Sequence, residues 1–343
     1  MTKELLVVKF GTSTITNQSG EPDDNTIDKI AEELSVLHQN YHLVLVSSGA
    51  VGAGKKFVKD YDGSITKRKA AAAVGNPLLI VKYSKAFGRH GIPVAQSLCE
   101  RSHFANRDLF LQLKDTYQEL WDNGVIPIAN ENDVVSDREL KFSDNDELAT
   151  LIAAGFGAKR LMIATEAGGL LDKQKQVVPF IKEINREILD LVDTTKSSLG
   201  LGGMSSKLTF AKLATKMGIQ VTIFGIKDTQ GGILKAEKGE AGSTFAALAT
   251  NISARNKWLA SGSLSTGVIT VDNGAAKAVS DRKSLLAVGI VSVEGDFSVG
   301  EVVEIVNVEH NVIAVARVRA SSQEIAGKPQ NLIVAHADDI ALV

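Results

Sequence analysis

The chain has 343 residues, 44% of them hydrophobic, with a formal net charge of -2 and a pI near 6.3. That length and apolar content suffice for two cored domains, and the balanced charge excludes the global basic field of a dedicated nucleic-acid binder. The single cysteine, Cys99, excludes an intrachain disulfide and suits a reducing compartment. Its apolar surroundings read as buried filler rather than a nucleophile. The first apolar run is far shorter than a signal core, and no run approaches the roughly 20 apolar residues that a bilayer needs, so a soluble cytoplasmic protein with no membrane partner is expected. His38 and His42 have i,i+4 spacing but straddle a helix end and the next strand with no carboxylate nearby, so no metal ligand is assigned.

In chain order, Leu5-Leu6-Val7-Val8 is a continuous apolar run feeding Gly11-Thr12-Ser13, the pattern of a buried parallel strand entering a loop. Ile27, Ile30, Ala31, Leu34 and Leu37 have the spacing of an amphipathic helix. Leu43-Val44-Leu45-Val46 is the next strand and ends in Ser47-Ser48-Gly49-Ala50. A helical stretch follows over about Lys69 to Arg89, with Gly75-Asn76-Pro77 as its expected break. Ile92 to Ala95 reads as a strand, Asp108 to Asn123 as a helix with Phe110, Leu113, Tyr117, Leu120 and Trp121 on its inner face, and Val125 to Ile128 as a strand delivering Asn130 to Asp133. Asp146 to Phe156 is helical, Leu161 to Ala164 a strand, Ser205 to Met217 a helix and Gln220 to Phe224 a strand. This alternation predicts an α/β domain whose mainly parallel central sheet is covered on both faces. Ligands of such sheets lie beyond the carboxyl ends of the strands, where Ser48, Asn130 to Asp133 and Thr165 should meet. After about Asn251 short apolar runs alternate with glycine and polar residues, as in a small β-rich domain.

Three segments carry chemistry that folding alone does not require. Lys9 directly follows a buried strand, a costly place for an ammonium unless an anion meets it or its chain snorkels to the sheet edge. The loop Gly200 to Lys207 precedes a helical pattern, so glycines, free N–H groups and Lys207 are available to a phosphate. Asn130, Asn132 and Asn145 offer amides beside the acceptors Asp133, Asp144 and Asp146, a set suited to a zwitterion. Capping and Asx-turns account for single members of these clusters but not for two dense clusters at strand ends. Gly49 to Lys55 imitates a Walker A loop, but Lys56 stands where the motif needs Ser or Thr, which rejects a P-loop. Gly49, Gly52 and Gly54 are expected instead to let backbone approach substrate.

Together these segments resemble the glutamate 5-kinases of the amino-acid kinase family. The carriers are Val8-Lys9-Phe10-Gly11-Thr12-Ser13, Ser47-Ser48-Gly49-Ala50, Asn130-Glu131-Asn132-Asp133, Asp144-Asn145-Asp146 and Gly202-Gly203-Met204-Ser205-Ser206-Lys207. The tail from Arg255 through Gly267 to Ala276 looks like a PUA domain, a small β-barrel. The resemblance implies a three-layer sandwich over residues 1–250 and a PUA-like domain over 256–343. It implies ATP-dependent phosphorylation of the γ-carboxylate of L-glutamate, the first step of proline synthesis, with Mg²⁺ accompanying ATP, inhibition by proline, and a homo-oligomer, dimer or tetramer. By position, Lys9, Lys207 and Asp146 match the catalytic set. Ser48, Gly49, Ala50, Asn130, Asp133 and Asn145 match the substrate site. Lys9, Thr165, Glu166, Leu201, Gly202, Gly203, Met204, Ser205, Ser206 and Lys207 match the nucleotide site. Glu166, Leu171 and Leu201 replace the family's usual Asp, Tyr and Thr, all on the nucleotide side. Rivals are amino-acid kinases acting on aspartate, N-acetylglutamate, carbamate or a nucleotide, and an RNA binder working through residues 256–343. The latter is disfavoured because Arg255, Lys257, Lys277, Arg282, Lys283, Arg317 and Arg319 are interleaved with at least as many acids and form no basic stripe.

Overall fold

Residues 4–10 form the strand around which the rest of the first unit is organised, in a computed structural model that describes residues 3–135, 145–192, 203–227, 230–249, 267–297, 299, 301–327 and 332–342. The elements are β1 (Glu4–Phe10), α1 (Thr12–Ile15), α2 (Asp24–His38), β2 (Tyr41–Ser47), α3 (Ala50–Gly54), α4 (Ile65–Gly88), β3 (Val94–Cys99), α5 (Arg101–Ala105), α6 (Arg107–Asp122), β4 (Ile126–Glu131), α7 (Asn145–Phe156), β5 (Arg160–Ala164), β6 (Phe180–Ile181), α8 (Arg186–Leu189), α9 (Met204–Lys216), β7 (Gln220–Phe224), α10 (Gly232–Glu237) and β8 (Ser243–Phe245). The eight strands form one sheet in the order β3-β4-β2-β1-β5-β7-β8-β6, parallel except where β7 meets β8. Two compact units are present, residues Met1–Glu100 with Asp115–Thr250, and Arg101–Lys114 with Asn251–Val343.

Alternation along β1 decides what each sheet face holds. Leu6, Val8 and Phe10 join a buried cluster with Ile27, Ile30 and Leu34 of α2 and Leu79, Tyr83 and Phe87 of α4. Lys9 therefore points to the other face, where α7 is buried from Asp146 to Phe156. A helix apolar on every side has to be buried on every side, and Leu148 to Ala154 meet that condition apart from Thr150, whose hydroxyl donates to the Asp146 carbonyl. Tyr117 and Trp121 of α6 pack edge-on against Phe156 at centroid distances of 5.0 and 6.4 Å, and the Trp121 indole N–H donates to the Leu43 carbonyl. The result is the three-layer α/β sandwich that the alternation predicts.

The expected break at Gly75-Asn76-Pro77 does not occur, and α4 runs unbroken from Ile65 to Gly88. Proline removes one N–H from the ladder, and here packing against α3 outweighs that loss. A methyl on Gly54 would lie 1.9 Å from the Ala71 carbonyl oxygen and one on Gly75 would lie 1.7 Å from that of Ala50. The two backbones thus touch directly, an approach open only to glycine.

The second unit contains β9 (Gly267–Val271), β10 (Leu285–Leu286), β11 (Ile290–Glu294), β12 (Val302–Val306), β13 (Val312–Arg317), β14 (Ile333–Ala335) and β15 (Ile340–Leu342). Five of these form a sheet in the order β11-β9-β12-β13-β15, with β10 and β14 paired separately. Ile269, Val271, Val303, Ile305, Ala314 and Ala316 supply its core. The fully buried Asp339 carboxylate accepts from the guanidinium groups of Arg317 (3.0 Å) and Arg319 (2.7 Å). Among the described residues no helix is long and apolar enough to cross a membrane.

Candidate active site

The carboxyl ends of β1, β2, β4 and β5 lie along one edge of the sheet, because all four strands run parallel. From the β1 end, Lys9 reaches Asp146 in the first turn of α7, with its ammonium Nζ 2.6 Å from Oδ1. Lys207, one turn into α9, donates to Oδ2 of the same carboxylate at 2.9 Å. Lys9 is 4% exposed, Lys207 7% and Asp146 0%, so neither lysine snorkels to water and one carboxylate bridges two buried ammonium groups from three different elements. Burial alone would push the Asp146 carboxyl up, but the charges and hydrogen bonds of Lys9 and Lys207 outweigh it and hold the group below the usual carboxylate range. Two ammonium groups held at one carboxylate are donors of the kind that can stabilise a transferring phosphoryl group.

Beside this bridge the polar groups form a chain. Asn145, directly before Asp146, donates from Nδ2 to Ser48 Oγ (2.8 Å) and Asn130 Oδ1 (2.9 Å). Asn130 in turn donates to Asn76 Oδ1 at 3.1 Å. Ser48, Gly49, Ala50, Asn130, Asp133 and Asn145, all six predicted substrate residues, line one cavity of about 550 Å³. The Asn145 Oδ1 atom is buried and unpartnered, leaving an acceptor beside the cavity. Gly49 holds a φ of 104°, and a methyl there would also lie 2.9 Å from Ile15 Cδ1, so only glycine turns β2 into α3 at this point. Gly54, by contrast, packs the chain against itself and does not open backbone to a substrate.

Thr165 and Glu166 line a second cavity of about 480 Å³ together with Ser13, Thr14, Lys227 and Gln230. The Thr165 N–H donates to the Phe224 carbonyl, and Gln230 Nε2 donates to the Glu166 carbonyl at 2.8 Å. Gly203 precedes α9 as its N-cap, and Met204, Ser205, Ser206 and Lys207 form its first turn. Leu201, Gly202 and Asp144 lie outside the described residues. A larger cavity of about 770 Å³ is lined by α2, α4 and α10 without any of these residues. Of its charges, Arg89 pairs with Asp28, and Glu33 accepts from the Ile233 and Leu234 N–H groups at the start of α10. Asn76 is the buried contributor that sequence reasoning passed over. An amide within a helix carries no local signal, and its proximity to Pro77 made it read as part of a break.

The profile of the amino acid kinase family matches residues 4–225 and that of the PUA domain matches residues 267–330. The chain belongs to the amino acid kinase family. This kinase is 35% identical to a glutamate 5-kinase of Pasteurella multocida over 98% of each chain. It is 36% identical to one of Trichlorobacter lovleyi over 93% of this chain and 88% of that one. Its fold is also that of the carbamate kinase of Giardia lamblia, at a TM-score of 0.53 and 19% identity over 72% of this chain and all of the other.

Proposed function

We propose that this kinase transfers the γ-phosphoryl group of ATP to the γ-carboxylate of L-glutamate, giving L-glutamyl 5-phosphate and ADP, and so opens proline synthesis in the cytoplasm. The observation that carries the reading is the Asp146 carboxylate gripping Lys9 and Lys207 beside a cavity lined by Ser48, Asn130, Asp133 and Asn145. Full-length similarity to glutamate 5-kinases supports glutamate over other acceptors.

The chemistry asks little of the protein in proton transfer. A γ-carboxylate is ionised at neutral pH, so one of its oxygens attacks the γ-phosphorus without a general base. The new O–P bond forms as the bond to the β-phosphate oxygen breaks, and ADP leaves with that electron pair. The barrier is electrostatic, an anion approaching a polyanion, and Lys9 and Lys207 stabilise the charge that shifts in the transition state. Asp146 holds both ammonium groups at one point, because without a shared anion they would repel each other apart. Ser48, Gly49, Ala50, Asn130, Asp133 and Asn145 orient the amino acid. Thr165, Glu166 and the segment from Leu201 to Lys207 hold the nucleotide. No protein ligand is assigned to Mg²⁺, which would be carried on the triphosphate oxygens and water. That ion would neutralise phosphate charge. Proline would lower the rate by occupying the glutamate cavity, and the protein would act as a dimer or tetramer.

The direct test mixes purified protein with Mg-ATP and glutamate and traps the acyl phosphate as a hydroxamate with hydroxylamine. Hydroxamate dependent on both substrates is expected. ADP release with aspartate, N-acetylglutamate or carbamate but none with glutamate would overturn the reading.

A further inference from the structure

We infer that Arg68 is a specificity residue that grips the α-carboxylate of the amino-acid substrate; this rests on the glutamate reading above. The cavity beside the lysine bridge is lined by two cations, Lys55 and Arg68. Lys55 is occupied, donating from Nζ to the Ser19 carbonyl at 2.6 Å. Arg68 lines the same cavity; its backbone N–H donates to the Ser64 carbonyl, but its side chain makes no hydrogen bond or ion pair among the described residues. An exposed guanidinium at the rim of a cavity, with none of its five donors engaged by the described residues, is suited to a carboxylate, which it can bind through two parallel hydrogen bonds.

Its place along α4 separates it from the reacting end. Asn76 of α4 is tied into the Asn130–Asn145 chain that abuts Asp146. Arg68 precedes Asn76 by eight residues, about 12 Å of helix. Ala71 touches Gly54, which places Arg68, one turn earlier, towards Lys55 at the outer end of α3. Cationic charge therefore lies at both ends of the site, Lys9 and Lys207 at one and Arg68 at the other, with the acids Glu131 and Asp133 also lining the cavity. That layout matches an acceptor with two carboxylates and an ammonium group. A monocarboxylic acceptor or carbamate would leave the guanidinium without a counter-charge.

Arg68→Ala and Arg68→Lys, compared with the unaltered protein by ADP release in Mg-ATP, test this. Loss of a charged hydrogen-bond partner predicts a KM for glutamate raised about tenfold or more in Arg68→Ala, with kcat and the KM for ATP within about threefold, and partial recovery in Arg68→Lys. L-isoglutamine retains the γ-carboxylate and the ammonium group but has a neutral carboxamide at the α position, and it serves as a competitor of glutamate. The unaltered protein should bind it about tenfold more weakly than glutamate, and Arg68→Ala should bind the two alike. A glutamate KM unchanged in Arg68→Ala, or the same preference for glutamate in both proteins, overturns the assignment. A fall in kcat with no change in that preference would mark Arg68 as structural. Absence of any glutamate-dependent ADP release by the unaltered protein would instead sink the functional reading itself, and this assignment with it.

Discussion

Replacing Asp146 by Asn keeps the size of the side chain and removes a negative charge shared by Lys9 and Lys207. The carboxylate is fully buried and both ammonium groups nearly so, which leaves them little water for screening. Stripping the partner from a buried charge pair costs about 3–5 kcal/mol, because the remaining charge stays desolvated. A unit of this size loses about 2–4 °C of Tm per kcal/mol, so the melt should fall by about 6–20 °C. The pH dependence follows from the lowered Asp146 carboxyl. A depressed carboxylate contributes stability that is fully present above its unfolded value and is lost as pH falls through its folded value. The gap between the two proteins should therefore be flat from pH 8 to about pH 5 and close only in more acidic solution. Urea titrations of both proteins at several pH values measure it. A variant within about 2 °C of the parent at pH 7, or a gap that widens in acid, would refute the argument from a shared buried anion.

Lys207→Ala should depress kcat by about a hundredfold or more while leaving the glutamate KM within a few-fold, as expected for a contact that strengthens in the transition state; steady-state kinetics decide, and a rise in KM alone would contradict the role given to this lysine. Gly75→Ala forces a methyl to 1.7 Å from the Ala50 carbonyl oxygen, so α3 and α4 must separate; a loss of about 1–3 kcal/mol in urea titration is expected, together with weaker glutamate saturation because Ala50 lines the cavity. Cys99 is fully buried and its thiol is pushed up to about 11 by that burial; a thiol reagent at pH 8 should label the native protein very slowly and the urea-unfolded protein at once.

The central strands were legible because a strand buried on both faces is written as a largely unbroken apolar run, as in β1, β2 and β5, with only Thr222 interrupting that of β7. The long helices were legible from their spacing, α2 most clearly. Short pieces escaped. The last two strands of the sheet, β8 and the edge strand β6, have three and two residues, too few to show a period, and α3 was hidden behind glycines that imitate a phosphate loop. Of the site, Lys9 announced itself by its cost. The partnership of Asp146 with both lysines came from resemblance, since no local pattern links positions 61 residues apart such as Asp146 and Lys207. Asn76 and Arg68 left no trace, because their role depends on how α4 lies against α3 and the strand ends.

The contact between Gly54 and the Ala71 carbonyl, and between Gly75 and that of Ala50, leaves no compressible side chains in the seam. Two main chains in touch can neither slide nor rock without breaking van der Waals limits. The inner lining supplied by Ala50, Val51 and Gly52 is thus bolted to a rod of 24 residues whose far end reaches Gly88. Any tilt of that rod must be felt at the cavity, so mutations remote from the bound amino acid, on the outward side of the rod, can alter its affinity.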